Sequence, residues 1–199
     1  MSDFWNERYA ENEYAYGIKP NQFFAESISK LPENGKIVFP AEGEGRNAVF
    51  AAKNGFEVFA FDTSIEGKKK ADKLANDQGV KIDYRVRILE ELDFEPASFD
   101  GAVFIYAHFP KSIRATIHKQ IEELLKPNGV LIFEAFSKEQ LQYPSGGPKD
   151  LEMLFSEEEI KDEFKNIEFD FLKTEIIELS EGPYHQGKGS VVRFIGKKK

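Results

Sequence analysis

The middle of the chain alternates short apolar runs with longer segments whose hydrophobic residues recur at helical spacing. Runs such as residues 101–107, GAVFIYA, are apolar without alternation, which is typical of strands buried on both faces of a sheet. The apolar runs predict strands at residues 36–40, 57–61, 81–86, 101–106 and 129–134. The segments between them predict helices at residues 46–54, 64–78 and 111–126. This order predicts a parallel sheet with right-handed crossovers.

Local signals mark several boundaries of these elements. Thr63 followed by Glu66 predicts a capping box at the start of the second helix. Gly79 stands where the end of a helix favours a residue with positive φ. Residues 126–129, KPNG, predict a turn that leads into the fifth strand.

The last third of the chain has a different order of elements. Ser156 with Glu159 predicts another capping box, on an amphipathic helix. Two strand-like runs, residues 168–179 and 190–195, then follow without a helix between them, so we expect an antiparallel hairpin with a long loop. The chain shows no internal repeat and no second domain, and we predict a single domain over residues 1–199.

Composition narrows the class of protein. The chain has 199 residues, 41% of them hydrophobic, which suits one globular core. Its 27 basic and 35 acidic residues give a net charge of −8, which argues against a general nucleic-acid binder. The absence of cysteine excludes disulfides, zinc thiolate sites and cysteine nucleophiles, and no cluster of metal ligands is evident. No apolar run reaches the roughly 20 residues of a membrane helix, and the acidic, aromatic N-terminus is unlike a signal peptide. We therefore expect a soluble cytoplasmic protein, with its oligomeric state left open.

Residues 37–47, IVFPAEGEGRN, run from the first predicted strand into a glycine loop. Gly43, Gly45 and Ala48 form the pattern G-x-G-x-x-A, which usually holds the pyrophosphate of a dinucleotide. Glycines allow a tight turn and a close approach of a ligand to the backbone. Because open parallel sheets bind ligands beyond the carboxyl ends of their strands, this loop predicts a ligand site.

The charge of the loop separates the possible ligands. Glu42 and Glu44 would repel a desolvated pyrophosphate. S-adenosylmethionine has no phosphate and carries a sulfonium and an ammonium group, so an acidic loop is compatible with it, and Glu42 is placed to face its amino-acid end. Asp62, 19 residues after Gly43, has nearly the spacing of an acid that binds ribose hydroxyls. That feature serves NAD and S-adenosylmethionine equally.

Several segments together resemble the class I S-adenosylmethionine-dependent methyltransferases, and most of all their tellurite-resistance and thiopurine-methyltransferase-like group. They are FWNERY, YGIKPNQFF, AEGEGRNAVFAA, GFEVFAFDTS, HFP, LKPNGVLIFEAF and GPYHQGKGSVV, which match in order and spacing over almost the whole chain. The resemblance implies an α/β fold, with a Rossmann-like seven-stranded, mostly parallel sheet, helices on both faces and a C-terminal antiparallel hairpin. It also implies methyl transfer as the activity.

The resemblance implies roles for individual residues. Residues 1–30 would form a helical cover, residues 36–135 a cofactor-binding core, and residues 136–199 a substrate-side region with the hairpin. Cofactor-binding residues would be Trp5, Arg8, Tyr16, Glu42, Gly43, Gly45, Asp62, Thr63, Leu89 and Ala107. Among these, Glu42 and the two glycines would line the methionine end, Asp62 would bind the ribose, and Ala107 with His108 would lie beside the sulfonium.

Three positions depart from the family pattern. Phe39 and Ala41 stand where the family usually has an acidic residue and a glycine. Ile88 stands where an aspartate usually accepts a hydrogen bond from the adenine amine, which leaves the Leu89 backbone N–H as a polar contact. A lost neutral hydrogen bond costs on the order of 1 kcal/mol. These departures weaken the case for cofactor binding without removing it.

Three histidines and one loop are further candidates. His108, at the ligand edge, is a candidate catalytic base, or else a histidine that satisfies a backbone group beneath the loop. His185, also a catalytic candidate, would form with Lys188 a cationic mouth for an anionic substrate, or else both lie in an exposed loop. His118 lies mid-helix among charged residues, so we expect it at the surface. Tyr143 and the glycines after it would form a lid over a small-molecule substrate, or else a flexible connection.

The leading hypothesis is methyl transfer from S-adenosylmethionine to a small soft nucleophile, of the thiol or chalcogen oxyanion class. Proximity, alignment and a dry pocket would supply most of the catalysis. Two alternatives stay open. One is a non-catalytic protein that binds S-adenosylmethionine or S-adenosylhomocysteine, and the other is a nucleotide-dependent oxidoreductase that uses the G-x-G-x-x-A loop.

Overall fold

The computed structural model describes residues 2–88, 91 and 93–199. The strands in this part of the chain are β1 Lys36–Pro40, β2 Glu57–Asp62, β3 Asp83–Val86, β4 Phe99–Ile105, β5 Leu125–Phe136, β6 Ile167–Glu181 and β7 His185–Lys198. The helices are α1 Ser2–Tyr9, α2 Gln22–Ser27, α3 Arg46–Lys53, α4 Ile65–Asp77, α5 Lys111–Leu124 and α6 Glu157–Glu163. None of these described helices combines the length and the hydrophobicity that crossing a membrane requires.

The strands form one mixed sheet with the order β3-β2-β1-β4-β5-β7-β6. The first five strands pair in parallel, through β1 with β2 and β4, β2 with β3, and β4 with β5. β7 is antiparallel to both β5 and β6. The predicted fold, a mostly parallel sheet that ends in an antiparallel hairpin, is confirmed.

The terminal hairpin is longer than the sequence predicts. β6 and β7 stay paired from Ile167 opposite Lys198 to Glu181 opposite His185, so only residues 182–184 form the turn. The predicted long loop is wrong, and His185 and Lys188 lie in a strand. Gly189, one of the glycines that suggest a loop, serves the packing of this strand, since a Cβ there would lie 2.8 Å from a methyl carbon of Leu179.

The predicted turn at residues 126–129 lies inside β5. Leu125 pairs with Phe99, and Val130 pairs with Gly101, so the residues between them form an irregularity in the β4–β5 ladder. Asn128 adopts φ 64° there. The segment bends the strand and does not separate two elements.

The starts of α4 and α6 both have side-chain caps, and the α4 cap is one residue later than predicted. The α4 cap is Ser64, whose Oγ accepts a hydrogen bond from Gly67 N–H at 3.0 Å, and not the predicted Thr63. The capping box predicted at Ser156 and Glu159 is confirmed. A shift of one residue is within the ordinary uncertainty of helix boundaries.

Apolar side chains cover both faces of the sheet. Along β4, Ala102 and Phe104 pack on one face and Val103 packs on the other. Along β5, Phe133 and Ile132 divide in the same way. This alternation explains why the central strands read as continuous apolar runs, because each face is covered by helices.

His118 is fully buried, so its predicted surface position is wrong. Its ring lies nearly parallel to Phe164 at 4.4 Å between centroids, and its Nδ1 lies 2.7 Å from Glu163 Oε2. Arg114, one turn earlier on α5, places Nη2 2.7 Å from Glu163 Oε1. Arg114 and His118 thus share the Glu163 carboxylate of α6, and this pairing offsets the free-energy cost of burying them.

The N-terminal segment lies along α4 and the loop after β1. Asn6 Oδ1 accepts a hydrogen bond from Ser64 Oγ at 2.7 Å. Glu44 Oε2 accepts one from Ala15 N–H at 2.8 Å. These contacts hold α1 and the following residues at the carboxyl edge of the sheet.

Candidate active site

A cavity of about 940 Å³ opens at the carboxyl edge of the parallel strands. Ala41, Thr63 and Tyr106, which follow β1, β2 and β4, all line it. This is the edge at which open α/β sheets bind ligands, and the volume lies near the top of the roughly 300–1,000 Å³ range of ligand pockets. The predicted site residues that line the cavity are Trp5, Arg8, Tyr16, Glu42, Asp62, Thr63, His108 and His185.

The loop glycines make room for other parts of the chain. Gly43 and Gly45 adopt φ +63° and +83°, a region that favours glycine. A Cβ at Gly43 would lie 2.6 Å from Tyr9 Oη, and one at Gly45 would lie 2.5 Å from Ala71 Cβ. Neither glycine is among the residues that line the cavity. The close approach that they permit is that of α1 and α4 to the loop.

Glu42 caps α3 and faces the cavity at the same time. Its Oε1 accepts hydrogen bonds from Asn47 N–H at 2.9 Å and Ala48 N–H at 2.8 Å. Burial raises the pKa of Glu42 to about 7, against the lowering effect of these bonds and of the Arg46 charge. The predicted position of Glu42 at the ligand edge therefore coexists with a role as helix cap.

Asp62 ties the loop after β1 to the loop after β2. Its Oδ2 accepts a hydrogen bond from Gly43 N–H at 3.0 Å, and its Oδ1 accepts one from Ser64 N–H at 2.9 Å. Burial raises the pKa of Asp62, and both hydrogen bonds oppose that effect. Each carboxylate oxygen has two lone pairs, so Asp62 keeps acceptor capacity toward the cavity.

The other charges of the loop pair with distant elements. Glu44 Oε1 lies 2.7 Å from Lys70 Nζ on α4. Arg46, which is buried, donates to the Tyr16 carbonyl and to Glu181 Oε2, both at 3.1 Å. The loop is thus joined to the N-terminal segment and to the hairpin, and of its two glutamates Glu42 has no such cationic partner at ion-pair distance within the described chain.

The N-terminal segment covers the cavity with aromatic and cationic side chains. Arg8 places its guanidinium 4.0 Å from the ring centroid of Tyr184, and its Nη1 donates to Tyr16 Oη at 3.4 Å. Trp5 stacks on Tyr9 at 5.3 Å between centroids. These side chains place a fixed positive charge and apolar surface over the ligand edge.

His185 enters the cavity from the first position of β7. Its Nδ1 lies 3.2 Å from Glu181 Oε2, across the turn of the hairpin. Its ring contacts the rings of Tyr16 and Tyr106, with centroids 4.4 and 4.7 Å away. Burial lowers the pKa of His185, although Glu181 acts in the opposite direction.

Both ring nitrogens of His108 are engaged by backbone groups. Nδ1 donates to the Met153 carbonyl at 2.8 Å, and Nε2 accepts from Phe136 N–H at 3.3 Å. Burial lowers the pKa of His108 to about 4, so the ring is neutral near pH 7. This arrangement favours the alternative in which His108 satisfies backbone groups over its use as a catalytic base.

The sequence analysis did not identify two residues of the site, Tyr106 and Glu181. Tyr106 lines the cavity with φ 54°, unusual for a bulky residue, and its ring packs on Phe136 at 4.7 Å. Its position at the end of a predicted strand is a signal that could have found it. Glu181 has no such signal, because its partner Arg46 is 135 residues away in the chain.

Other predicted site residues lie elsewhere. Ala107 is buried in the core, and neither Tyr143 nor Lys188 is among the residues that line the cavity. Lys188 is exposed, because strand alternation directs it away from the face that carries His185. Residues 147–150 of the loop after β5 do line the cavity. Leu89 lies outside the described residues.

The departures from the family pattern have different consequences. Phe39 is fully buried, with its ring 5.7 Å from that of Phe24, so it belongs to the core and not to the cavity wall. Ala41 adopts φ 50° and lines the cavity, so it holds a backbone conformation that glycine favours. Ile88 lines the cavity and is largely exposed.

Comparison with known proteins finds a family that matches part of the chain. Residues 40–129 match a protein family described as methyltransferase domain. This region runs from the end of β1 through the glycine loop, α3, β2 and β4 to the start of the last parallel strand. No curated protein sequence matches the chain.

Solved structures share the fold at low sequence identity. A structure described by the conversion of a disulfide bond into a thioacetal group during echinomycin biosynthesis is 13% identical, with a TM-score of 0.78, and the match covers 100% of this chain and 92% of that one. A SAM-dependent methyltransferase from Methanosarcina mazei is 20% identical, with a TM-score of 0.71 and coverage of 90% and 98%. TehB from Haemophilus influenzae is 15% identical, with a TM-score of 0.71 and coverage of 100% and 67%.

The fold is therefore that of the Rossmann-like methyltransferases. The match to a methyltransferase domain and the shared fold support an enzyme that transfers methyl groups, with S-adenosylmethionine as its cofactor.

Proposed function

We propose that the protein transfers a methyl group from S-adenosylmethionine to a small soft nucleophile, of the thiol or chalcogen oxyanion class. The observation that carries this proposal is a cavity whose wall combines carboxylates with apolar side chains. Glu42, Glu44 and Asp62 line it, and so do Phe109, Ile113 and Phe136. Such a cavity suits a cationic cofactor beside a weakly solvated acceptor.

The charged residues of the cavity fit the cofactor. Glu42 lines the cavity and would hold the ammonium group, and Arg8 would hold the carboxylate. Asp62, with Thr63 beside it, has acceptor capacity for ribose hydroxyls. When bound, the cofactor supplies a methyl group on a positively charged sulfur.

The chain itself contributes alignment and the exclusion of water. Trp5 and Tyr16 cover the cavity from the N-terminal segment, and Tyr106 and Phe136 close its inner wall. An in-line displacement gains from such fixed geometry and from a site that water does not enter. A soft nucleophile that is already ionised needs little assistance beyond this, and His185 is a polar group that lines the cavity for a protonated one.

The choice of acceptor class has further support. The fold is shared with a structure described by the conversion of a disulfide bond into a thioacetal group, and with TehB. The quoted segments and this shared fold support the proposal that the protein belongs to the tellurite-resistance and thiopurine-methyltransferase-like group. A cytoplasmic location stays a prediction.

The test combines turnover with binding. The protein is incubated with labelled S-adenosylmethionine and a panel of thiols and chalcogen oxyanions, while calorimetry measures binding of the cofactor and of S-adenosylhomocysteine. We expect tight binding and methyl transfer to at least one member. Binding without transfer over the whole panel would favour the non-catalytic alternative. Thermal stabilisation by NAD, and not by S-adenosylmethionine, would favour the oxidoreductase.

A further inference from the structure

The carboxylate of Glu181, in the hairpin, joins Arg46 of the loop after β1 to His185, which lines the cavity. Glu181 Oε2 lies 3.2 Å from His185 Nδ1 and 3.1 Å from Arg46 Nη2. Its Oε1 accepts a hydrogen bond from Asn21 Nδ2 at 3.1 Å. Burial raises the pKa of Glu181, but the hydrogen bond from His185 and the charge of Arg46 outweigh it and hold that pKa at about 2. Glu181 is therefore a fixed anion with three donors around it.

The surroundings of His185 decide its protonation state. The titratable and charged groups that face it are Glu181, Arg46, Arg8, Tyr16, Tyr106 and His108. Burial and the two arginines disfavour the imidazolium, and only Glu181 favours it. The ring is thus neutral near pH 7, and because a carboxylate only accepts, the ring proton is on Nδ1. Nε2 then carries a lone pair.

Aromatic rings surround His185, which also lines the cavity. Tyr16, Tyr106 and Phe136 surround the ring at 4.4, 4.7 and 5.2 Å between centroids. Nδ1 is directed to Glu181. Near the opposite edge lies Gly146, where an added Cβ would approach Cδ2 to 2.7 Å and Nε2 to 3.3 Å. The absence of a Cβ at residue 146 lets the loop backbone lie beside this edge without a clash.

We propose that Glu181 is a positioning residue that makes His185 Nε2 the proton acceptor for a neutral, protic acceptor such as a thiol. The inference rests on the proposed methyl transfer and narrows its acceptor class. The thiol gives its proton to Nε2, and its sulfur forms the bond to the methyl carbon. The bond from that carbon to the sulfonium breaks, and its electron pair stays on the departing sulfur. Glu181 stabilises the imidazolium that forms, and the proton leaves to water when the cavity opens.

This arrangement disfavours the second acceptor class. A lone pair on Nε2 repels an oxyanion, whereas an ordinary alkyl thiol, with a pKa of about 8.5, is mainly protonated at pH 7 and can donate to it. The cationic mouth expected from His185 and Lys188 is not formed, because His185 is neutral and Lys188 is exposed outside the cavity.

The test compares three variants with an alkyl thiol, a thiol of low pKa that is already ionised at pH 7, and selenite. His185→Gln is expected to lower kcat/KM for the alkyl thiol by about 100-fold or more, the factor typical of a lost proton transfer. For the ionised thiol, kcat/KM of His185→Gln should stay near the wild-type value, because that acceptor has no proton to give. Glu178→Gln, a change of an exposed carboxylate on β6, the strand that carries Glu181, is the control and keeps wild-type rates.

The pH profile separates positioning from mere folding support. Wild-type kcat/KM for the alkyl thiol falls as the pH decreases through the pKa of His185. In Glu181→Gln the carboxylate that favours the imidazolium is gone, so this acid limb moves to lower pH and kcat falls more than KM changes. A reduced rate with an unmoved limb overturns the role of Glu181.

The remaining outcomes also test the proposal. An unaltered acid limb in His185→Gln, or equal losses for both thiols, overturns the proposal even if Glu181→Gln does not fold. Faster transfer to selenite than to the alkyl thiol by the wild type overturns it while methyl transfer stands. No transfer by the wild type to any acceptor overturns both this inference and the proposed function.

Discussion

Replacing Glu42 with glutamine probes the central electrostatic feature of the cavity, a buried carboxyl group at the start of α3. Glutamine keeps an oxygen acceptor for Asn47 N–H and Ala48 N–H, which bond Glu42 Oε1 at 2.9 and 2.8 Å. The helix cap is thereby retained. What the change removes is the ionisation of a group that burial makes costly to charge.

The expected effect has a definite sign and size. The pKa of Glu42 is about 7 in the folded protein, against an ordinary value of 4.5. Because the folded state binds this proton more tightly, the stabilisation is fully present below pH 4.5 and is lost as the pH rises through 7. The difference corresponds to at most about 3 kcal/mol, since the carboxyl group keeps partial contact with the cavity. Glu42→Gln therefore gains stability relative to the wild type over this pH range.

Urea denaturation between pH 4.5 and 8.5 measures this difference. Glu57→Gln, the same change at an exposed position on β2, is the control and should follow the wild-type curve. Calorimetry adds a second readout, because in the proposed function an ionised Glu42 attracts the ammonium group of the cofactor. Wild-type affinity should then rise as the pH passes through about 7, and the variant should lack this rise. Parallel stability curves for Glu42→Gln and the wild type would refute the reasoning.

Three further changes have clear expectations. Asp62→Ala removes the acceptor of Gly43 N–H and the proposed ribose ligand, so calorimetry should show a loss of cofactor affinity of about tenfold or more. Gly45→Ala places a Cβ 2.5 Å from Ala71 Cβ at φ +83°, so the free energy of unfolding should fall by about 1–3 kcal/mol. Arg114→Ala leaves the partly buried Glu163 without its guanidinium partner, so stability should fall by about 3–5 kcal/mol.

Each of these expectations can fail in a recognisable way. Unchanged cofactor affinity in Asp62→Ala would remove that residue from the binding site. Wild-type stability of Gly45→Ala, measured by urea denaturation, would mean that α4 moves away from the loop without cost. A loss below about 1 kcal/mol in Arg114→Ala would show that water solvates Glu163 when its partner is gone.

The order of elements was accessible from the sequence because it depends on local patterns. Continuous apolar runs predict β1, β2, β4 and β5 close to their observed positions, since a strand covered on both faces has no polar side to show. The capping box at Ser156 and Glu159 is equally local. Glu42 and Asp62 were placed at the ligand edge by their positions after β1 and at the end of β2.

The errors concern residues whose environment is set by distant parts of the chain. His118 sits among charged neighbours in sequence, but the face of α5 that carries it meets Phe164 and Glu163 of another segment. The glycines after His185 suggest a loop, yet cross-strand pairing with β6 continues through them. Neither outcome has a local signature, because each depends on which surfaces the fold brings together.

The sequence by itself determined the kind of protein: a parallel sheet with a terminal hairpin, and an acidic glycine loop suited to a cationic ligand. Local periodicity and charge are sufficient for that, because strands, caps and loop ends are read within a few residues. Only the tertiary structure decided what the cavity offers to an acceptor. In the folded protein, burial lowers the pKa of His185, and backbone groups bond both ring nitrogens of His108. Glu181 also contacts Arg46, which is 135 residues away in the chain. Protonation and hydrogen bonding depend on the three-dimensional environment, which no local pattern contains.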